Sequence, residues 1–163
     1  MLIKDSSDWF KNEEFWKLYE PLMFDPDRMA DTGLEVDGII ALADLHPNQN
    51  ILDACCGSAR HSVEFAKKGF NVTGVDITEA YLKEARENIK NAGVNVDLVK
   101  DDVRKFKKPS SYDFAMNYYT SFGYFDDPED DLTFCKNICD SLKKGGSFLI
   151  DTIGKETVAL HFK

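Results

Sequence analysis

Four aspartates stand where an α/β chain concentrates its chemistry. Asp53 lies in the apolar run Asn50–Ala54 (NILDA), Asp76 follows Asn71–Val75 (NVTGV), and Asp101 and Asp102 come soon after Val94–Val99. A fourth apolar run, Tyr112–Met116, leads into Asn117-Tyr118-Tyr119-Thr120-Ser121-Phe122-Gly123. If these runs are parallel strands, the acids gather at their carboxyl ends, where open sheets of this kind bind ligands. A carboxylate closing the second strand can accept hydrogen bonds from both hydroxyls of a ribose. Asp76, 19 positions after Gly57, therefore predicts an adenosine-containing ligand.

The first turn discriminates among such ligands. A dinucleotide needs G-x-G-x-x-G, so that the backbone can press against a pyrophosphate. Here Cys55–Arg60 reads C-C-G-S-A-R, with Gly57 as its single glycine. A pyrophosphate would also face Asp53, Asp76 and, depending on the turn, Asp102. S-adenosylmethionine has no phosphate and carries a sulfonium and an ammonium, so a carboxylate-rimmed pocket suits it. The pattern favours that cation, and an NAD-dependent oxidoreductase with an aberrant phosphate turn is the least favoured alternative.

Short apolar runs alternating with longer amphipathic ones predict βαβ units around a mainly parallel, doubly wound sheet. Two helical stretches precede it, at about residues 7–20 and 27–45, interrupted by Pro21, Asp25 and Pro26. Further helices are expected over about 58–68, stopped by Gly69, and from the cap Thr78 to Asn91, stopped by Ala92-Gly93. Asp127-Pro128-Glu129 opens another, with an aspartate cap, proline at the first position and acids at the positive end of the dipole. It is expected to reach Leu142, with Lys143 and Lys144 at its negative end and Gly145-Gly146 beyond. Ser147–Asp151 (SFLID) is a fifth strand, and residues 152–163 read as a loop and the start of a helix.

In this order, ILDACCGSARHS, VTGVDIT, NYYTSFGYF and LKKGGSFLIDT resemble the class I S-adenosylmethionine-dependent methyltransferases, in a small-molecule-type branch, over about residues 35–153. The resemblance implies a Rossmann-like core over 46–163 beneath an N-terminal helical lid over 1–45. It implies that Asp53 and Gly57 line the methionine part of the cofactor and that Asp76 binds the ribose. Asp102 would accept from the adenine amino group, with Ile77 and Val103 against the base, and the backbone at Asn117 would receive the ammonium. Two departures stand out. Cys55 and Ala59 occupy glycine places of the usual three-glycine turn, which predicts a tighter turn. The fourth-strand motif is not the Asn-Pro-Pro-Tyr of amino-directed nucleic-acid enzymes.

The residues also have plainer readings. Asp53 either touches the cofactor or holds the turn through backbone amides. Asp102 either meets the base or caps a short helix at Val103, leaving Asp101 as ligand. Cys55 and Cys56 read as small buried hydrophobes, and Cys135/Cys139 lack the companions of a metal site, so no metal is expected. The aromatics Trp9, Phe10, Phe15, Trp16, Tyr19 and Phe24 recur at helical spacing; packing is the default, and Tyr19 is the candidate to touch the cofactor. No residue identifies itself as a general base. Tyr118, Tyr119 and His61 are the weak candidates, and an acceptor that arrives deprotonated needs none.

Composition sets the frame. The chain has 163 residues, 43% of them hydrophobic and 30% charged, with a formal net charge of −9. That length suits one domain with a real core, and the charge argues against gripping nucleic acid or anionic membrane. No run reaches the length of a membrane span, and no secretory signal opens the chain. The cysteine spacing suits reduced, cytoplasmic thiols. The superfamily usually adds two strands after the fifth, so the sheet is expected to be truncated. Strand five would then be an exposed edge, open to pairing with another copy of the chain. The predicted function is methyl transfer to a small-molecule acceptor; the alternative is a cofactor-binding module or fragment without turnover.

Overall fold

The computed structural model of the chain describes residues 9–23 and 26–154. The helix start expected within 152–163 falls largely outside them, as do Ser7, Phe24 and Asp25. Five strands form one parallel sheet: β1 (Asn50–Ala54), β2 (Asn71–Asp76), β3 (Val96–Lys100), β4 (Tyr112–Asn117) and β5 (Leu142–Ile150). Their order is β3-β2-β1-β4-β5, with β5 at one edge. The chain winds outward from β1 to β3, then crosses back to lay β4 on the other side of β1. The switch in strand order therefore lies between β1 and β4, as a doubly wound sheet requires.

Parallel neighbours need crossovers, and three are helices: α3 (Arg60–Lys67), α4 (Glu79–Ala92) and α5 (Pro128–Ser141). The period of two along each strand sends alternate residues to opposite faces. Ile51, Val72, Phe114 and Met116 pack against Phe65 of α3 and against Val36 and Ile39 of α2 (Pro26–Ala43). Leu52, Ala54, Val75 and Ala115 pack on the other face with Phe134 and Ile138 of α5. Both faces are covered, which explains why the strands read as nearly continuous apolar runs. Burying each large side chain contributes about 2 kcal/mol.

Several element ends differ from the sequence pattern for identifiable reasons. β3 starts at Val96 because the amide of Val94 donates to the Ile89 carbonyl, closing the end of α4 behind Gly93, whose φ is 66°. Among the described residues, the first expected helix is not continuous. A 3-10 turn (Trp9–Lys11) precedes α1 (Glu13–Met23), and the Asn12 side chain caps α1 by accepting from the amides of Glu14 and Phe15. Pro21 lies inside α1 rather than ending it.

The largest difference is at the end of α5, where β5 begins at Leu142 with no intervening loop. Lys143 and Lys144 are thus on a strand and not at a helix terminus. The carbonyls of Asp140 and Ser141 accept instead from the amides of Ser110 and Ser111. Leu142 pairs with Tyr112 but Ser147 pairs with Phe114, so β5 carries extra residues in a bulge. Gly145, at φ 86°, and Gly146 fill that bulge; a Cβ on Gly146 would lie 2.9 Å from the Asp113 carbonyl oxygen.

Candidate cofactor cleft at the carboxyl ends of the strands

The turn after β1 keeps a glycine-type path where two of its residues are not glycine. Cys55, Gly57 and Ala59 have φ of 66°, 54° and 62°. The amides of Cys55 and Cys56 both donate to the Val75 carbonyl, at 2.8 and 3.0 Å, which fastens the turn across β2. Holding Cys55 and Ala59 in the left-handed region costs about 1–2 kcal/mol each. The Cys56 side chain is buried against Gly74, where a Cβ would lie 2.9 Å from Cys56 Sγ. Burial pushes the thiols of Cys55 and Cys56 well above their ordinary range, as expected of packing residues and not nucleophiles. All four cysteines are free, and no group of metal-ligating side chains occurs among the described residues.

Asp76 ends β2 and is buried. Its Oδ2 accepts from the Gly57 amide at 2.8 Å and its Oδ1 from the Thr78 amide at 2.8 Å. The Thr78 hydroxyl and the Ile77 amide also act on this carboxylate. Burial raises its pKa, opposed by the amides of Thr78 and Gly57, so a cation nearby would favour its charged form. Asp53 accepts from Ser62 Oγ at 2.6 Å, which ties β1 to α3. Burial, with Asp76 adding to it, lifts Asp53 to about 6. Of its two sequence readings, the side chain makes its recorded bond within the fold while still lining the cleft.

The acids border a cleft at the switch point, where doubly wound sheets bind their ligands. Asp53, Gly57, Asp76, Ile77, Asp102 and Val103 all line it. Asp101 lines it too, and its Oδ1 accepts from the Asp102 amide at 2.8 Å. Phe10, Trp16, Tyr81, Tyr124 and Phe125 supply an aromatic wall. Trp16 Nε1 donates to the Phe10 carbonyl, and the Tyr81 hydroxyl donates to the Trp16 carbonyl, so the N-terminal segment is anchored to α4.

Two candidates fall elsewhere. Tyr19 is 40% exposed, stacks on Phe15 and does not line the cleft; Trp16, almost a turn earlier on α1, enters it instead. Asn117 is fully buried and does not line the cleft either. Its carbonyl, the group predicted to receive an ammonium, accepts from the Asp151 amide in the ladder to β5. Its side chain bridges the switch point: Nδ2 donates to the Ala54 carbonyl at 2.8 Å and Oδ1 accepts from the Phe122 amide at 3.1 Å. That positioning role had no signal in the sequence beyond the place of Asn117 at a strand end.

Arg60, His61, Tyr118 and Tyr119 also line the cleft. Glu35, on α2, accepts from Arg60 Nη1 at 2.5 Å and contacts His61 Nε2 at 2.9 Å, and Arg60 also donates to Thr32 Oγ1. Burial and Arg60 push His61 down to about 4 against the pull of Glu35, so the imidazole is neutral at pH 7. Its ring meets Tyr118 edge-on at 4.6 Å. Glu35 was not legible as a site residue, because only packing of α2 on α3 brings it here.

A doubly wound sheet whose switch point opens into an acid-lined, aromatic-walled cleft defines a nucleoside-cofactor-binding domain. Residues 51–146 match the family model described as a methyltransferase domain, and the chain belongs to that family. It is 30% identical over 116 residues to a ubiquinone biosynthesis O-methyltransferase of Saccharophagus degradans, covering 70% of this chain and 48% of that protein. It is 31% identical over 154 residues to a demethylmenaquinone methyltransferase of Listeria welshimeri, covering 87% of this chain and 64% of that one. The chain thus spans only part of these relatives. Among solved structures, a protein from Pyrococcus horikoshii OT3 superposes with a TM-score of 0.76 at 24% identity, over 90% of this chain and 65% of its own. That likeness supports the fold. No helix among the described residues is long and apolar enough to cross a membrane.

Proposed function

We propose that the chain is the S-adenosylmethionine-binding domain of a methyltransferase that acts on a small-molecule acceptor. The observation that carries this reading is Asp76: a buried carboxylate at the end of β2, lining a cleft whose first turn lacks the glycines a pyrophosphate needs. The residues present fit the group. Asp76 takes the ribose hydroxyls, and Ile77 and Val103 lie against the base. Asp102 accepts from its amino group, while Gly57 and Asp53 border the methionine part. The bound cofactor supplies a methyl group already activated by its sulfonium, so the protein's task is alignment and exclusion of water. The aromatic wall of Phe10, Trp16 and Phe125 serves the second task, and the N-terminal segment acts as a lid in that sense.

The acceptor approaches beside His61, Tyr118 and Tyr119, which line the cleft after the turn that follows β1 and after the end of β4. Its surroundings are acidic on balance, with Glu35, Asp53 and Asp151 against Arg60, which fits a neutral or cationic small molecule better than a polyanion. Among the described residues β5 is an edge of the sheet, and this edge is the surface on which two copies pair.

Calorimetry with S-adenosylmethionine, S-adenosylhomocysteine and NAD tests the reading. The first two are expected to bind in the micromolar range and NAD not at all, and Asp76→Ala is expected to weaken both at least tenfold. Tighter binding of NAD, or affinity indifferent to Asp76→Ala, would overturn it.

A further inference from the structure

Asp102 does not stand in the cleft as a lone acceptor. Arg104 closes around it: Nε lies 3.0 Å from Oδ1 and 3.1 Å from Oδ2, Nη2 lies 2.6 Å from Oδ2, and the Arg104 amide donates to Oδ1 at 3.0 Å. The same guanidinium sends Nη1 to Asp130 Oδ2, 2.7 Å away in the first turn of α5. Its carbon lies 4.7 Å from the centre of the Phe125 ring and 5.3 Å from that of Phe10. Those rings meet edge to face at 5.2 Å, and both line the cleft. One side chain therefore joins the loop after β3, the start of α5 and the aromatic wall.

This arrangement constrains what Asp102 can recognise. Burial works to raise its pKa, but the bonds from Arg104 outweigh it and hold the carboxyl below its usual range, so it is an acceptor only. Oδ1 takes two donors, while Oδ2 takes Nη2 and a share of Nε, which leaves Oδ2 room for one further N–H. The planar fork fixes the carboxylate plane in a way that a lysine ammonium would not.

We propose that Arg104 is the positioning residue for base recognition: it holds Asp102 in the orientation that accepts from an exocyclic amino group, braces Phe10 and Phe125 as the wall beside the base, and so selects 6-aminopurine over 6-oxopurine. The proposal rests on the cofactor reading above. A 6-oxo group would bring a second acceptor against a carboxylate whose plane cannot turn away. One lost hydrogen bond to a charged group corresponds to a preference of about 10- to 100-fold.

The test is calorimetry on the full chain with two probes, S-adenosylhomocysteine and its 6-oxo analogue S-inosylhomocysteine, for the wild type, Asp102→Asn, Arg104→Ala and Arg104→Lys. The wild type is expected to prefer the amino probe by the factor above. Arg104→Ala is expected to bring the ratio to within about threefold of unity. Arg104→Lys, which keeps the charge without the fork and serves if the alanine variant does not fold, is expected to lose most of it. A merely structural role would lower stability or weaken both probes together and leave the ratio intact, and that outcome overturns the proposal. Failure of the wild type to bind either probe sinks the cofactor reading itself. A wild type that binds both equally removes the role of Asp102 and this inference with it.

Discussion

Asp76 and Gly57 are 19 positions apart in sequence, yet Asp76 Oδ2 accepts from the Gly57 amide at 2.8 Å. The acid proposed to hold a ribose is thus also what fastens the turn after β1 to the end of β2. Asp76→Ala leaves the half-buried amide of Gly57 and the buried amide of Thr78 without their acceptor. The expected loss of stability in the absence of ligand is about 1–3 kcal/mol, because removing a desolvated carboxylate returns part of what the orphaned amides cost. Thermal melts should show a drop of about 3–10 °C. An unchanged melting temperature would mean that water replaces the carboxylate at both amides.

Cys56 and Gly74 form a second tie between the same strands, this time by packing. A Cβ at position 74 would meet Cys56 Sγ at 2.9 Å and Leu98 Cδ2 at 3.1 Å. Gly74→Ala is expected to destabilise by about 1–3 kcal/mol through overpacking. Cys56→Ala removes the nearer obstacle, so the double variant should be more stable than the two single losses predict, by about 1 kcal/mol. Urea denaturation of the four proteins gives the coupling directly. Strict additivity would show that the strain falls on Leu98 instead.

Buried Asp53 and His61 respond to acid in opposite senses. The folded pKa of Asp53, about 6, lies above its ordinary 3.8, so the native state binds the extra proton and gains stability as pH falls through that window. His61 falls to about 4 from 6.5, so the unfolded chain binds the proton first and stability is lost as pH falls from 6.5 to 4. Each contribution is on the order of 3 kcal/mol, and the two nearly cancel in the wild type. Asp53→Asn should therefore steepen the loss of stability between pH 6.5 and 4, and His61→Gln should reverse it relative to the wild type. Denaturation series at stepped pH would show the two difference curves running in opposite directions; parallel curves would refute the pairing.

The strands and their carboxyl-end acids were legible because apolar runs and strand-end aspartates are local signals. Asp53, Asp76 and Asp102 reach one cleft because parallel pairing brings neighbouring strand ends together. The junction of α5 and β5 was not legible. Lys143, Lys144 and a glycine pair read as a helix end, while the deciding bonds come from Ser110 and Ser111, some 30 positions earlier. Glu35 has the same cause, because docking of α2 sets its partners; Arg104 grips Asp102 two positions away, but its contacts with Asp130, Phe10 and Phe125 depend on docking of α5 and of the Phe10 segment. Helical spacing gives the aromatic stripe but not which edge of it faces inward, so the sequence points to Tyr19 where the structure puts Trp16 in the cleft.

Which of these two rings meets the ligand is open to direct measurement. Trp16 is 6% exposed, lines the cleft and lies against Tyr81 and Tyr124, while Tyr19 stacks on Phe15 towards solvent. Tyr19→Ala should leave affinity for S-adenosylhomocysteine within about twofold, since it removes an exposed ring. Trp16→Ala takes away part of the wall and the bond to the Phe10 carbonyl, and should weaken binding about tenfold. The chain has only two tryptophans, Trp9 and Trp16, so ligand binding can be followed by fluorescence. In Trp9→Phe the change on titration with S-adenosylhomocysteine should persist, because the remaining indole is the one in the cleft. Loss of that signal in Trp9→Phe, with retention in Trp16→Phe, would place the ligand away from the wall built by Phe10, Trp16 and Tyr81.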